Sequence, residues 1–178
     1  MPSKALKRKI RKETIKREAM RLIFQTVCAA AATYLLFSYI FGLAEVDGFS
    51  MRPILYDGDT VFYTRIFHEY KPGDIIVFSL NKRNYIKRIA AVGGDMVNIS
   101  TNGSSVQVNG RTEPLDQNPT YPRGGGLRFP VIVPKGCVFV LGDNREASID
   151  SRAKEIGMLP ANNICGVVRF VIRRSLSP

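Results

Sequence analysis

Residues 22–44, LIFQTVCAAAATYLLFSYIFGLA, contain no charged side chain, and no other stretch limits the chain's options so strongly. At 1.5 Å rise per residue, about twenty apolar residues cross the roughly 30 Å hydrocarbon layer of a bilayer, so the run reads as one transmembrane helix. Gln25, Thr26, Thr33 and Ser38 are compatible with this, since hydroxyls can bond back to the helix backbone, and Tyr39 with Phe41 suits the far interface. A cleaved signal peptide is the competing reading, because Gly42-Leu43-Ala44 is small-x-small. Such a peptide has an apolar region of roughly 7 to 15 residues, and this run is longer.

The formal net charge of +11 would suit a nucleic-acid binder until it is divided along the chain. Nine of the 26 Lys and Arg and two of the 15 acidic residues fall in residues 1–21, which therefore hold +7 and leave +4 for the rest. No nucleic-acid partner is expected for the folded part. By the positive-inside rule, the basic run before the apolar segment and Glu45 with Asp47 after it place the N-terminus in the cytoplasm and the remainder outside, on a single-pass protein of the cell membrane. The tail is either a helix lying on anionic lipid, at about 1 kcal/mol per basic residue near the surface, or a topology signal without lipid selectivity. The expected organisation is a basic tail over 1–21, the transmembrane helix over 22–44 and an extracytoplasmic domain over 45–178 with an insertion at about 98–135.

Beyond the anchor the pattern changes period. TVFYTRI, DIIVFSL, NYIKRIAAV, DMVNIS, VQVNG, CVFVLGD and GVVRFVIRR are short β-branched or aromatic runs separated by Gly, Pro and Asn, which argues for an all-β, mostly antiparallel domain. Asn102-Gly103 suits a hairpin turn. The Pro- and Gly-rich stretch 112–134 has no period and reads as a long surface loop. Cys137 and Cys165 fall in two of the expected strands, either as neighbours able to pair outside the cytoplasm or as two buried thiols. Three Cys and a single His give no set of zinc ligands, so no metal or cofactor is expected.

His68, the one histidine, lies in the loop-like FHEY and reads as a solvent-exposed imidazole. A serine nucleophile in this chain therefore needs another base, and lysine is the alternative when burial or cationic neighbours keep it neutral. In NYIKRIAAV the two-residue period puts Tyr85, Lys87 and Ile89 on one face. Lys87 is thus either a buried amine of depressed pKa or a lysine snorkelling off a half-exposed strand. Ser50, in VDGFSMRPILYDGD, is either a turn residue or a hydroxyl held close to the outer lipid surface, six residues after the apolar run. Asp143, Asn144, Ser148, Asp150, Ser151 and Arg152 crowd a third stretch, LGDNREASIDSRAKEIGMLP, as an elaborate turn or the support of a site.

The order of these segments resembles bacterial type I signal peptidases, membrane-anchored Ser-Lys serine proteases. GFSMRPIL is similar to the nucleophile box, KPGDIIVF to the Gly-Asp strand, YIKRIAAVGGD to the lysine box, and GDNREASIDSR followed by GVVRFVI to the last box. The resemblance implies Ser50 as nucleophile, Lys87 as general base, Ser148 hydrogen-bonding and orienting that lysine, Asp150 with Arg152 as a supporting ion pair, Asp143 as part of the same support and Met51 as a wall of the substrate cleft. It further implies cleavage of signal peptides from exported precursors, without a cofactor, on a β domain with a smaller β insertion. Ala91 and Gly93 depart from the family's usual Gly and Pro. Gly48 stands where some members carry a serine that helps bind the oxyanion. A self-cleaving Ser-Lys repressor would carry a DNA-binding segment where this chain has its apolar run. A processing protease for a narrow set of surface proteins and an inactive membrane-anchored binding module are the remaining alternatives.

Overall fold

The computed structural model describes residues 4–66, 69–102, 105–113, 120–123 and 125–174, with side chains from residue 11 onward. His68 and Gly103 lie outside the described residues, and with them the exposed imidazole and the Asn-Gly turn. The chain divides into two units, residues 1–40 and 41–178.

The first unit is one helix, α1 (Lys4–Ile40), long and apolar enough by length and composition to cross a membrane. Thr26 Oγ1 donates to the Leu22 carbonyl at 2.9 Å, which satisfies a hydroxyl that lipid could not. The helix ends four residues before the uncharged run does. Phe41–Glu45 is a strand, β1, so the expected helix over 22–44 is corrected at its C-terminal end. The reason is local pairing. Phe41 to Glu45 run antiparallel to β2 (Thr60–Thr64) in unbroken register, and the Phe41 and Phe62 ring centroids lie 5.0 Å apart. Gly42 leaves room for the Tyr63 ring, with which any Cβ would collide.

The second unit begins with β1 and β2 and continues through β3 (Ile75–Leu80), β4 (Arg83–Val92), β5 (Met96–Ile99), β6 (Val106–Val108), β7 (Arg111–Thr112), β8 (Val131–Ile132), β9 (Cys137–Leu141), β10 (Leu159–Pro160) and β11 (Ile164–Ile172). A seven-stranded sheet has the order β1-β2-β11-β3-β4-β9-β10, and β7-β6-β5-β8 form a second sheet. All recorded pairings are antiparallel. The second sheet lies in sequence between β4 and β9, which are neighbours in the first. Within the stretch 112–134, expected to be a long loop, the described part holds Thr112 at the end of β7 and the whole of β8.

The core sits on both faces of the large sheet. Ile76 and Phe78 of β3 pack with Ile89 and Val140, while Val77 between them packs with Val46, Met51, Leu55 and Ile86. A fully buried side chain of this size contributes about 1.5–3 kcal/mol. Three successive buried residues are what a central strand covered on both sides requires. Among the described residues the cysteines are free thiols, Cys137 and Cys165 half-buried.

Close approach of β11 to β2 depends on Gly166, where a Cβ would collide with the Thr64 carbonyl and lie 2.6 Å from Tyr63 Cδ2. Backbone cannot yield as a flexible side chain can. Gly166→Ala is expected to lower stability by roughly 1–3 kcal/mol, read as an earlier urea midpoint of the full chain in detergent micelles.

Candidate active site

Ser50 lies on the loop between β1 and β2, and that loop is closed at its base by backbone bonds from Val46 N–H to the Asp59 carbonyl and from Gly58 N–H to the Val46 carbonyl, both 2.8 Å. The buried Asp59 side chain accepts from Tyr56 N–H at 2.9 Å, Arg173 Nη1 at 2.7 Å and Arg174 N–H at 3.2 Å. Burial pushes its carboxyl pKa up, but these donors outweigh burial and hold it below the usual carboxylate value. Arg173 Nη2 also donates to the Ile54 carbonyl at 2.9 Å. Within the loop the Met51 and Leu55 side chains are buried, and the Met51 carbonyl accepts Leu55 N–H at 2.9 Å.

The lysine comes from the middle of β4. Lys87 Nζ donates to Ser50 Oγ at 2.7 Å and to the Ile86 carbonyl at 2.9 Å. Lys87 is only 4% exposed. Tyr85 and Ile89, placed on its face by the two-residue period, both belong to the cluster built on Phe78. Burial lowers the amine pKa to about 8, against the opposing pull of the Asp150 and Asp143 carboxylates. At pH 7 roughly a tenth of such an amine is neutral, over a hundredfold more than for a solvated lysine. The buried alternative at Lys87 is therefore the one realised, and the pair can pass a proton from hydroxyl to amine.

Two ion pairs flank it. Asp150 accepts Arg152 Nε and Nη2, each at 2.8 Å, and also Gly142 N–H at 3.2 Å. Asp143 pairs with Arg88 Nε and Nη2 at 2.8 Å, while Arg88 Nη1 donates to the Gly73 carbonyl at 2.7 Å. Asp143 thus ties down the residue next to Lys87 rather than joining Arg152. Asn144 N–H donates to the Ser50 carbonyl at 3.0 Å, joining the third cluster to the serine loop.

Ser148 departs from expectation. It is fully buried, and its Oγ has no hydrogen-bond partner among the described residues, so the bond to Lys87 implied by the resemblance is not made. The Ser148 side chain instead packs over Gly142, where a Cβ would collide with it and lie 2.6 Å from the Ser50 carbonyl. The absence of a side chain at Gly142 lets the two serines come close.

A cleft of about 290 Å³ opens over the pair, with Glu45, Asp47 and Met51 on the side of the serine loop and Tyr85 and Ile86 on β4, and Ile149 also lining it. The sequence reading missed Arg88 as the partner of Asp143, the Asp59–Arg173 pair and the buried Arg145–Glu113 pair at 2.7 Å. Arg88, next to the candidate lysine on a strand, was the one with a local signal.

The sequence model of the signal peptidase, peptidase S26 family matches residues 17–173. Signal peptidase I of Bacillus licheniformis is 32% identical over 158 residues, 82% of this chain and 83% of that protein. Signal peptidase IB of Staphylococcus aureus (strain Mu50 / ATCC 700699) is 31% identical over 174 residues, 88% and 90%. A crystal structure of a signal peptidase I from Enterococcus faecalis V583 aligns at 26% identity with a TM-score of 0.44, over 57% of this chain and 98% of that one.

A lysine whose pKa is lower folded than unfolded costs stability below the folded value, and the cost fades as pH rises toward the unfolded one. For a fall from 10.5 to about 8 the cost is about 3 kcal/mol. Lys87→Met is expected to raise the stability of the full chain at pH 7 relative to wild type. In paired urea melts that advantage shrinks as pH climbs from 8 toward 10.5.

Proposed function

The chain belongs to the signal peptidase family, peptidase S26, enzymes that cleave signal peptides, and we propose that it does so as a membrane-anchored endopeptidase with a Ser50–Lys87 dyad. The observation that carries this reading is the 2.7 Å hydrogen bond from Lys87 Nζ to Ser50 Oγ, made by an amine almost wholly withdrawn from water. In the proposed mechanism neutral Lys87 takes the hydroxyl proton as Ser50 Oγ attacks the scissile carbonyl carbon. The Ser50 backbone N–H helps to hold the resulting oxyanion, and one such donor is typically worth about 10² to 10³ in rate. The lysine then gives its proton to the departing amine, leaving an ester on Ser50. A water deprotonated by Lys87 hydrolyses the ester and releases the signal peptide's new C-terminus.

The supporting residues act on geometry. Asp150 with Arg152 and Asp143 with Arg88 fix the two segments that bracket Lys87, Ser148 packs against Gly142 beside the Ser50 carbonyl, and Met51 forms part of the cleft wall. The substrates are precursors whose signal peptides lie in the same bilayer as α1, which explains a nucleophile placed soon after the anchor in sequence. The basic tail supports a cytoplasmic N-terminus, an extracytoplasmic β domain and an affinity for anionic lipid.

The test is cleavage of a signal-peptide-bearing precursor by the full chain in detergent or liposomes. Ser50→Ala and Lys87→Ala are each expected to lose at least about 10³ in rate. Because the reactive form is the neutral amine, the wild-type rate rises with pH through a midpoint near 8. Retention of the rate in Lys87→Ala would sink the dyad.

A further inference from the structure

The second sheet contributes nothing directly to the Ser50–Lys87 pair, yet the segment that leaves it is packed onto the loop beside that pair. Glu113, just after β7, accepts Arg145 Nη2 at 2.7 Å, and Arg145 Nη1 donates to Thr120 Oγ1 at 3.2 Å. Both members of the ion pair are buried. From Arg145 the connection runs inward, since its carbonyl accepts Arg152 Nη2 at 2.6 Å and the same guanidinium grips Asp150. Arg123, also from the segment between β7 and β8, donates to the carbonyls of Ser148 at 2.6 Å and Glu146 at 3.3 Å. At Gly126 a Cβ would collide with the Arg152 carbonyl oxygen, so backbone lies against backbone there. Three independent contacts thus come from this one segment onto residues 145–152.

We infer that Glu113 is a positioning residue for the catalytic lysine, acting through Arg145 and Arg152 to hold the Asp150 carboxylate in its ion pair. The inference rests on the reading of Lys87 as the base. Asp150 from this loop and Asp143 from the end of β9 are the charges that act on Lys87, each neutralised by its own arginine. At the rim of the cleft Glu45, Asp47 and Arg83 are exposed and act through solvent, where screening is strong. When the Glu113 anchor is lost, the Arg145 carbonyl shifts, Arg152 loosens from Asp150, and a less compensated carboxylate faces the amine. That favours the charged lysine. A direct effect of removing a negative charge at Glu113 would act in the opposite sense, so the direction of change separates positioning from through-space electrostatics.

The measurement is the titration midpoint of Lys87 in the full chain in detergent micelles, followed by side-chain carbon NMR of labelled lysine and assigned with Lys87→Arg. Glu113→Gln is expected to raise the midpoint by roughly 1 pH unit. The midpoint of the pH–rate profile should move with it, while KM for the precursor stays unchanged. An unchanged or lowered midpoint overturns the inference. If Glu113→Gln does not fold, Glu113→Asp is measured instead. It keeps the charge and withdraws the carboxylate from Arg145 Nη2, so a through-space effect is absent, and the same upward move is expected and the same results overturn it. A wild-type rate that shows no rise at the Lys87 midpoint refutes the base assignment, and the NMR midpoints still decide the role of Glu113.

Discussion

A primary amine held out of water against a serine hydroxyl constrains everything around it. Lys87 owes its lowered pKa to burial, and a central strand with close-packed neighbours provides that burial. The site supplies β4 between β3 and β9, with Met51 and Leu55 beneath the serine loop. It also requires that nearby carboxylates be occupied, because an unpaired anion at close range would hold the amine charged. Asp150 and Asp143 each have a bidentate arginine. Buried ion pairs of this kind are weak evidence for stability in themselves. Here their consequence is a limited pull on Lys87, so that burial prevails and the pKa falls to about 8.

The hydroxyl has to be held as firmly as the amine, and the means come from the far end of the chain. The serine loop is not long enough to have a core of its own. Its base is fixed through Asp59 by Arg173, 114 residues away in sequence, and its tip by the bond from Asn144 N–H to the Ser50 carbonyl. Both anchors reach the loop from residues beyond β9, so the site is complete only when the last strand of the sheet has docked. A hydroxyl and an amine on adjacent segments would have been simpler to bring together, but a 37-residue separation between Ser50 and Lys87 makes their meeting a consequence of the whole sheet.

Much of this was legible in the sequence, for reasons that also mark the limits. The seven apolar runs named from their period all contain strands, because burial on a pleated surface leaves a local signature. Lys87 stood out as a charged residue between large apolar ones, although spacing alone could not separate a buried amine from a snorkelling one. The end of α1 was hidden, since an uncharged run carries no mark of where helical pairing gives way to strand pairing, and FGLAE is too short to show a period of its own. Arg88 and Asp143 lie 55 residues apart and Asp59 and Arg173 farther still. Ion-pair partners at such separations leave no pattern in one sequence. Ser148 shows the opposite limit, where the resemblance supplied a hydrogen bond that the packing over Gly142 does not make.

Gly48 connects the local backbone to the demands of the proposed chemistry. Its φ is +87°, a conformation that penalises any side chain by about 1–2 kcal/mol, and its N–H is engaged by Asp57 Oδ1 at 2.7 Å. A serine there would carry that penalty in the turn that presents Ser50. In the proposed reaction the tight turn stands in place of a side-chain hydroxyl, and oxyanion stabilisation would fall on backbone N–H groups of the serine loop. Such donors lose no rotamer freedom on binding, provided the loop itself is rigid. The bonds from Asp59, Arg173 and Asn144 supply that rigidity, so the clasp on the loop and the glycine two residues before Ser50 are parts of one solution.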